Sequence, residues 1–425
     1  MLIHIVRMGD TLASIAERYG VSVARLRADN GITSDRLVVG QALIVMLPSQ
    51  VHTVKAGESL SSIASIYGIT VIELIQNNPA LAISRVLYPG QTLTISFQGE
   101  KIRTIAINGY AYPHIERMTL RRALPYLTYL SVFSYGFKES GELIVPDDAA
   151  LLSAAKEFRS APVLVFTSID ENGGFSSERA SRLFNDPALQ NRILDEIIAV
   201  MKTKGYVGMD ADFEYIRTED AEGFFGFLGN AAARLHSEGF FLSVALAPKT
   251  SASQAGLLYE AHDYSAIGGI ADHVLLMTYE WGYAYGPPMA VAPINQVRSV
   301  VQYAVTEIPP AKINLGIPNY GYDWTLPFER EGSRATTIGN EEAVQIAERN
   351  GAEIRFDEAA MSPFFNYTAF GNKHVVWFED VRSVQAKYDL ADEFALAGVG
   401  YWSIMRPFAQ NWAYISAKYR VEKVL

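Results

Sequence analysis

Residues 206–214 read Tyr-Val-Gly-Met-Asp-Ala-Asp-Phe-Glu. In an extended strand successive side chains point to opposite faces. Gly208, Asp210, Asp212 and Glu214 therefore share one face, and Met209, Ala211 and Phe213 share the other. The apolar face suits packing beneath helices. The acidic face is unusual, because Asp is depleted in strands. Carboxyls spaced by about 7 Å along one strand face raise each other's pKa, and burial raises them further. A carboxyl kept protonated near neutrality can donate to a leaving oxygen. The stretch predicts a buried strand that delivers Glu214 as a general acid, with Asp210 and Asp212 behind it.

Working outward, further apolar runs lie at 102–108, 129–133, 162–167, 241–247, 273–278, 313–317 and 398–404. With 207–213 they make eight, and helical stretches such as 191–204 and 221–238 lie between them. Buried strands alternating with helices predict an α/β fold, a (β/α)8 TIM barrel over residues 98–425, with the acidic strand fourth. The interval between the last two strands is long. A helix near 341–349 and strand-like segments at 353–356, 365–368 and 374–378 suggest an α+β insertion at about 325–390.

The N-terminal part is a repeat, and a repeat decides architecture. Residues 3–20, IHIVRMGDTLASIAERYG, align with residues 51–68, VHTVKAGESLSSIASIYG. The match continues through Leu26/Leu74 and Asn30/Asn78 to Gly40-Gln41/Gly90-Gln91. Each copy reads as strand, helix, helix, strand: βααβ modules at 1–48 and 49–97. Asp10-Thr11 and Glu58-Ser59 suit a helix N-terminus, with the acids themselves as candidate caps, and Gly20 and Gly68 suit its end. Pro48-Ser49-Gln50 and Gln98-Gly99-Glu100 read as linkers. Gly-Asp-Thr-Leu, Ile-Ala, Tyr-Gly, Asn and Gly-Gln recurring in this order resemble LysM modules over most of residues 2–97. That resemblance implies binding of N-acetylglucosamine chains of peptidoglycan or chitin beside Gly9-Asp10-Thr11 and Gly57-Glu58-Ser59.

Bulk chemistry narrows the partners. The formal net charge of −10 disfavours phosphate backbones, so nucleic acid is not expected as a partner. With no Cys, disulfides and thiolate chemistry are excluded, and the seven His residues show no metal-ligand spacing, so neither metal nor cofactor is expected. No apolar run approaches the roughly 20 residues of a membrane span. The N-terminus lacks the basic and apolar regions of a signal peptide. Aromatic residues are 12% of the chain, and their faces suit pyranose rings as well as a core.

Gly208-Met209-Asp210-Ala211-Asp212-Phe213-Glu214 resembles the signature of glycoside hydrolase family 18, Asp-Gly-x-Asp-x-Asp-x-Glu, with Val207 standing where the pattern has its first Asp. Met277-Thr278-Tyr279, Ala247-Pro248-Lys249, Leu315-Gly316-Ile317-Pro318 with Tyr320-Gly321, and Gly400-Tyr401-Trp402 also resemble family segments, although Glu280 follows Tyr279 where Asp is usual. The resemblance implies substrate-assisted retaining hydrolysis, in which the substrate's 2-acetamido oxygen is the nucleophile. It gives Glu214 the acid/base role, Asp212 the acetamido N–H, Asp210 a shared proton or hydrogen bond with Asp212, and Tyr279 the acetamido group. Trp402 is implied as the floor under the reacting sugar, and Tyr110 and Tyr320 as further substrate-binding residues. Two LysM modules ahead of such a barrel resemble the bacterial spore cortex-lytic N-acetylglucosaminidases. That implies a monomer acting on spore peptidoglycan during germination, located at the spore coat or cortex and made without a signal peptide. The competing expectations are a chitinase and a non-catalytic LysM attachment protein, the latter disfavoured by an intact Glu214.

Overall fold

The computed structural model describes residues 1–170 and 173–425. Eight parallel strands close into a barrel: β1 (Arg103–Ala111), β2 (Tyr129–Phe137), β3 (Ala161–Thr167), β4 (Gly208–Asp212), β5 (Phe241–Leu246), β6 (His273–Leu276), β7 (Ile313–Pro318) and β8 (Gly398–Trp402). They pair in sequence order, and β8 returns to β1. Each coincides with one of the eight apolar runs, to within a few residues at either end. The acidic strand is the fourth, as its position in the chain requires.

β4 is held by what surrounds it. Met209 and Ala211 point outward into the layer between barrel and helices, where both are fully buried. The helix Pro187–Lys204 covers that side. Asp186 caps it by accepting from the amides of Ala188 and Leu189, Pro187 opens it, and Gly205 ends it at φ +79°. Its apolar stripe, Leu189, Ile193, Ile197 and Met201, is buried against the barrel. On the inner face Asp210 lies level with Val165 of β3 and Ser243 of β5.

The insertion is a five-stranded antiparallel sheet with one helix. Its strands run from Gly321–Leu326 to Asn372–Trp377, and its helix is Asn340–Asn350. Its elements therefore occupy 321–377 rather than 325–390. The segment Val381–Glu393 belongs instead to the barrel wall, because Val381, Val384, Tyr388 and Ala391 are buried in the barrel's core cluster. Among the described residues no helix is long and apolar enough to cross a membrane.

Both N-terminal units are βααβ. Leu2–Ile5 pairs with Ala42–Val45, and Pro48–Thr53 pairs with Thr92–Phe97. Residues 48–50 are therefore not a free linker. They begin a bulged strand whose backbone bonds no side-chain chemistry advertises. The helix caps also differ from expectation by one residue. Thr11 and Ser59 cap the first helices, each closing a capping box with Ser14 or Ser62. Asp10 and Glu58 instead accept from the amides of Arg7 and Lys55 and from Nε2 of His4 and His52. The other ring nitrogen of each His meets a tyrosine hydroxyl, Tyr19 or Tyr67.

The first unit is fastened to the rest of the molecule. Arg25 donates to the carbonyl of Asn77 at 2.7 Å, Gln410 of the final helix donates to Asn30 and to the carbonyl of Ala42, and Ser34 donates to Glu348 of the insertion. The amide of Ile354 donates to the carbonyl of Val39 at 3.0 Å. At Gly40, φ is +83° and an added Cβ would sit 1.8 Å from the carbonyl oxygen of Ile354. Gly40→Ala is expected to cost about 3 kcal/mol through backbone overpacking and a strained φ. Thermal unfolding checks this, and an unchanged Tm contradicts it.

Candidate active site

The site lies at the C-terminal mouth of the barrel, where loops after the strands meet. Asp210 and Asp212 leave β4 on its inner face, fully or nearly fully buried, and Glu214 follows two residues beyond the strand end, half-buried. Asp210 is deepest. Its Oδ2 accepts from the Tyr110 hydroxyl at 2.8 Å, and Ser243 on β5 also hydrogen-bonds it. Burial raises the Asp210 pKa, and these two donors oppose the rise. Asp212 is pushed well above the usual carboxylate range by burial, then by the charges of Glu214 and Asp210. Asp210 Oδ1 and Asp212 Oδ1 have no hydrogen-bond partner among the described residues. Two buried carboxyls with spare acceptor positions are suited to sharing a proton and to receiving a donor from a bound molecule.

Glu214 is raised to about 7, chiefly by burial and then by the neighbouring charge of Glu280. It is therefore suited to carry a proton at neutral pH. Tyr279, three residues past the end of the short strand β6, is buried, and its phenol is held protonated by burial and by the charges of Asp212, Glu214, Glu280 and Asp210. A phenol kept neutral beside four acids is a hydrogen-bond donor, not a nucleophile. Trp402, at the end of β8, stands edge-on to Phe133 at 4.8 Å, Tyr110 at 5.8 Å and Tyr112 at 6.0 Å between ring centroids. Together these residues shape a cleft of about 570 Å³ lined by Tyr112, Phe133, Asp212, Glu214, Tyr279, Glu280 and Trp402, with Tyr215, Tyr259, Trp281 and Tyr283 towards its rim. The lining is acidic and aromatic and, among the described residues, contains no Lys or Arg.

The structure thus brings together Asp210, Asp212, Glu214, Tyr279 and Trp402 from three different strands. Tyr110 and Tyr320 play a different part from the one expected of them. Both are buried, and their hydroxyls go to Asp210 and Glu280. They support carboxylates from behind and do not line the cleft. Gly9-Asp10-Thr11 and Gly57-Glu58-Ser59 form one turn in each N-terminal unit, with Gly9 at φ +87° and Gly57 at φ +84°. None of the six lines the catalytic cleft.

Glu280 is the residue the sequence registered only as a departure. Its backbone is left-handed, φ +67°, which turns the chain sharply after Tyr279. Its carboxylate accepts from the hydroxyls of Tyr320 and Tyr322, the latter at 3.0 and 3.1 Å. Burial raises its pKa and these two bonds oppose the rise. Its place after Tyr279, where the family pattern has Asp, was the only sequence signal for it. Its tyrosine partners, Tyr320 just after β7 and Tyr322 in the first strand of the insertion, lie roughly 40 residues on and could not be inferred from it.

Comparison with known proteins agrees with this geometry. Residues 110–406 match the family model for glycosyl hydrolases family 18, and residues 4–45 and 52–96 match the LysM domain. The cortical fragment-lytic enzyme of Bacillus subtilis (strain 168) is 43% identical, with 100% of this chain and 99% of that protein covered. The crystal structure of the spore cortex-lytic enzyme SleL of Bacillus megaterium QM B1551 superposes with a TM-score of 0.84 at 37% identity, covering 100% of this chain and 99% of that one. A chitinase from Chromobacterium violaceum ATCC 12472 shares the barrel, with a TM-score of 0.68 at 25% identity over 74% of this chain and 98% of its own. The chain belongs to glycosyl hydrolases family 18, a glycosidase that carries two LysM domains at its N-terminus.

Proposed function

We propose that this glycosidase cuts spore-cortex peptidoglycan on the reducing side of N-acetylglucosamine during germination, by a substrate-assisted retaining mechanism. The observation that carries the reading is the single inner face of β4, where two buried carboxyls lead to a Glu214 raised to about 7. The reacting N-acetylglucosamine lies on Trp402. Glu214 protonates the glycosidic oxygen as the acetamido oxygen attacks C1, giving an oxazolinium ion. Asp212 accepts the acetamido N–H and stabilises its developing positive charge, with Asp210 holding Asp212 from below. Tyr279 donates to the acetamido oxygen and keeps it in near-attack geometry. Glu214, now a carboxylate, activates the water that opens the ring. The modules at 1–48 and 49–97 hold the polymer near the cleft, through Gly9-Asp10-Thr11 and Gly57-Glu58-Ser59. Tethering raises the local concentration of a weakly held chain. The protein acts as a monomer at the spore coat and cortex.

The names and full-length similarity of the cortex-lytic relatives support the choice of polymer. Mass spectrometry of products from spore cortex fragments, vegetative peptidoglycan and chitin oligomers tests it. Cortex fragments ending in reducing N-acetylglucosamine are expected. Faster release from chitin oligomers than from cortex would make the enzyme a chitinase instead.

A pH prediction follows from Glu280. As general acid, Glu214 must be protonated, so turnover falls as pH rises through its pKa, about 7. Glu280→Gln removes a negative charge that raises that pKa. The alkaline limb of the kcat profile is expected to move to lower pH, by about one unit for a close charge pair. A limb that stays in place, or moves up, contradicts the assignment of Glu280.

A further inference from the structure

Glu214 lies just past the end of β4, in a loop that must be stiff if its carboxyl is to meet a glycosidic oxygen. The carbonyls of the two residues on either side of it, Phe213 and Tyr215, are each held by a side chain from a segment beside β4. The carbonyl of Phe213, on one side, accepts from Nε2 of His262 at 3.1 Å. The carbonyl of Tyr215, on the other side, accepts from the Ser177 hydroxyl at 2.6 Å. His262 comes from the segment after β5 and Ser177 opens the helix Ser177–Asn185 after β3, so the two clamps approach from opposite sides of β4.

His262 is itself anchored. Its Nδ1 takes the amide proton of Ala247 at 2.9 Å. A backbone amide can only donate, so Nδ1 is the acceptor and Nε2 carries the proton that goes to Phe213. Tyr264 grips the same residue from its other end, donating to the carbonyl of Ala247 at 2.6 Å and accepting the amide of Lys249 at 3.0 Å. The ring is buried, which lowers its pKa to about 4, so it stays neutral and keeps this tautomer across the working range. Beyond Glu214 the left-handed backbone of Tyr215, φ +56°, would otherwise be free to relax.

The geometry points to His262 and Ser177 as positioning residues that fix the catalytic acid by pinning the carbonyls on both sides of it. This rests on the reading of Glu214 as that acid. Neither residue touches the substrate. Each acts through the backbone of Glu214, and displacement by even about 1 Å at such a centre can cost 100-fold.

The test uses the full chain and initial rates on spore-cortex fragments. His262→Ala is expected to lower kcat by about 10- to 100-fold and Ser177→Ala by about 3- to 10-fold, with KM within about threefold of wild type. Ser177→Thr, which keeps the hydroxyl, restores the rate. The alkaline limb moves to lower pH in both alanine variants, because a freed Glu214 relaxes toward water and away from Glu280. In a Glu214→Gln background neither substitution lowers the residual rate further. Kinetic constants within twofold of wild type in both alanine variants overturn the proposal, as does a lowered Tm with an unchanged kcat below the transition. If His262→Ala does not fold, Ser177→Ala and Ser177→Thr decide the matter. Full turnover by Glu214→Gln would remove the catalytic reading itself. A dead Glu214→Gln beside normal His262→Ala and Ser177→Ala would remove only the positioning.

Discussion

Glu214→Gln is expected to fold as the parent does and to lose at least about 10³-fold in kcat. The amide keeps the volume and the half-buried setting of the carboxyl but has no proton acidic enough to give to a departing oxygen. It also cannot take one from water in the second half of the reaction, so both steps suffer. Folding should be unharmed, even favoured, because burial and the Glu280 charge work against an ionised Glu214, and an amide escapes both. A circular-dichroism melt beside product analysis on cortex fragments separates the two effects. A variant with normal Tm and near-normal turnover would remove Glu214 from the chemistry.

A glycan bearing a free amine in place of the acetamide at the cleaved sugar is expected to resist the enzyme, with a rate lower by about 10³-fold or more, since a well-held internal nucleophile is worth effective molarities of about 10⁵ M or above. The protein supplies no obvious replacement. Asp210 is wholly buried with Tyr110 upon it, and Asp212, which stabilises positive charge at the acetamido nitrogen, would be occupied by the ammonium that replaces it. An ammonium group would still be attracted to this acidic cleft. Binding without cleavage is therefore the expected pattern, visible as competitive inhibition by the de-N-acetylated oligomer. Rapid cleavage would show that a protein carboxylate is the nucleophile after all.

The eight barrel strands were legible because each is an apolar run buried on both sides, and because β4 breaks that rule with acids at every second position. The three acids were readable from the alternation of β4 itself, whereas Tyr279 and Trp402 were picked out only by the resemblance of their segments to glycoside hydrolase family 18. What remained hidden depends on segments that meet only after folding. The support of Glu280 by Tyr320 and Tyr322, and the grip of His262 on Phe213 across 49 positions, are of this kind. Val207 is a different case. It stands where a further acid was expected, and Asp210 instead finds uncharged donors, Tyr110 and Ser243, on β1 and β5. The strand that starts at Pro48 was hidden for a third reason, because Pro-Ser-Gln has the composition of a turn, and its partners, Ser96 and Phe97, lie more than 45 positions away.

The docking of the first N-terminal unit bears on how the enzyme meets a polymer. Its loop at 31–40 is stitched to the insertion through Ser34, Val39 and Gly40, and its second helix to the final helix through Asn30. A module on a flexible leash lets the blade sweep a sphere around its point of attachment. Here the handle and the blade are one piece. A strand seized by this unit is offered to the cleft at one bearing and one reach, like stock clamped against a stop on a bench saw.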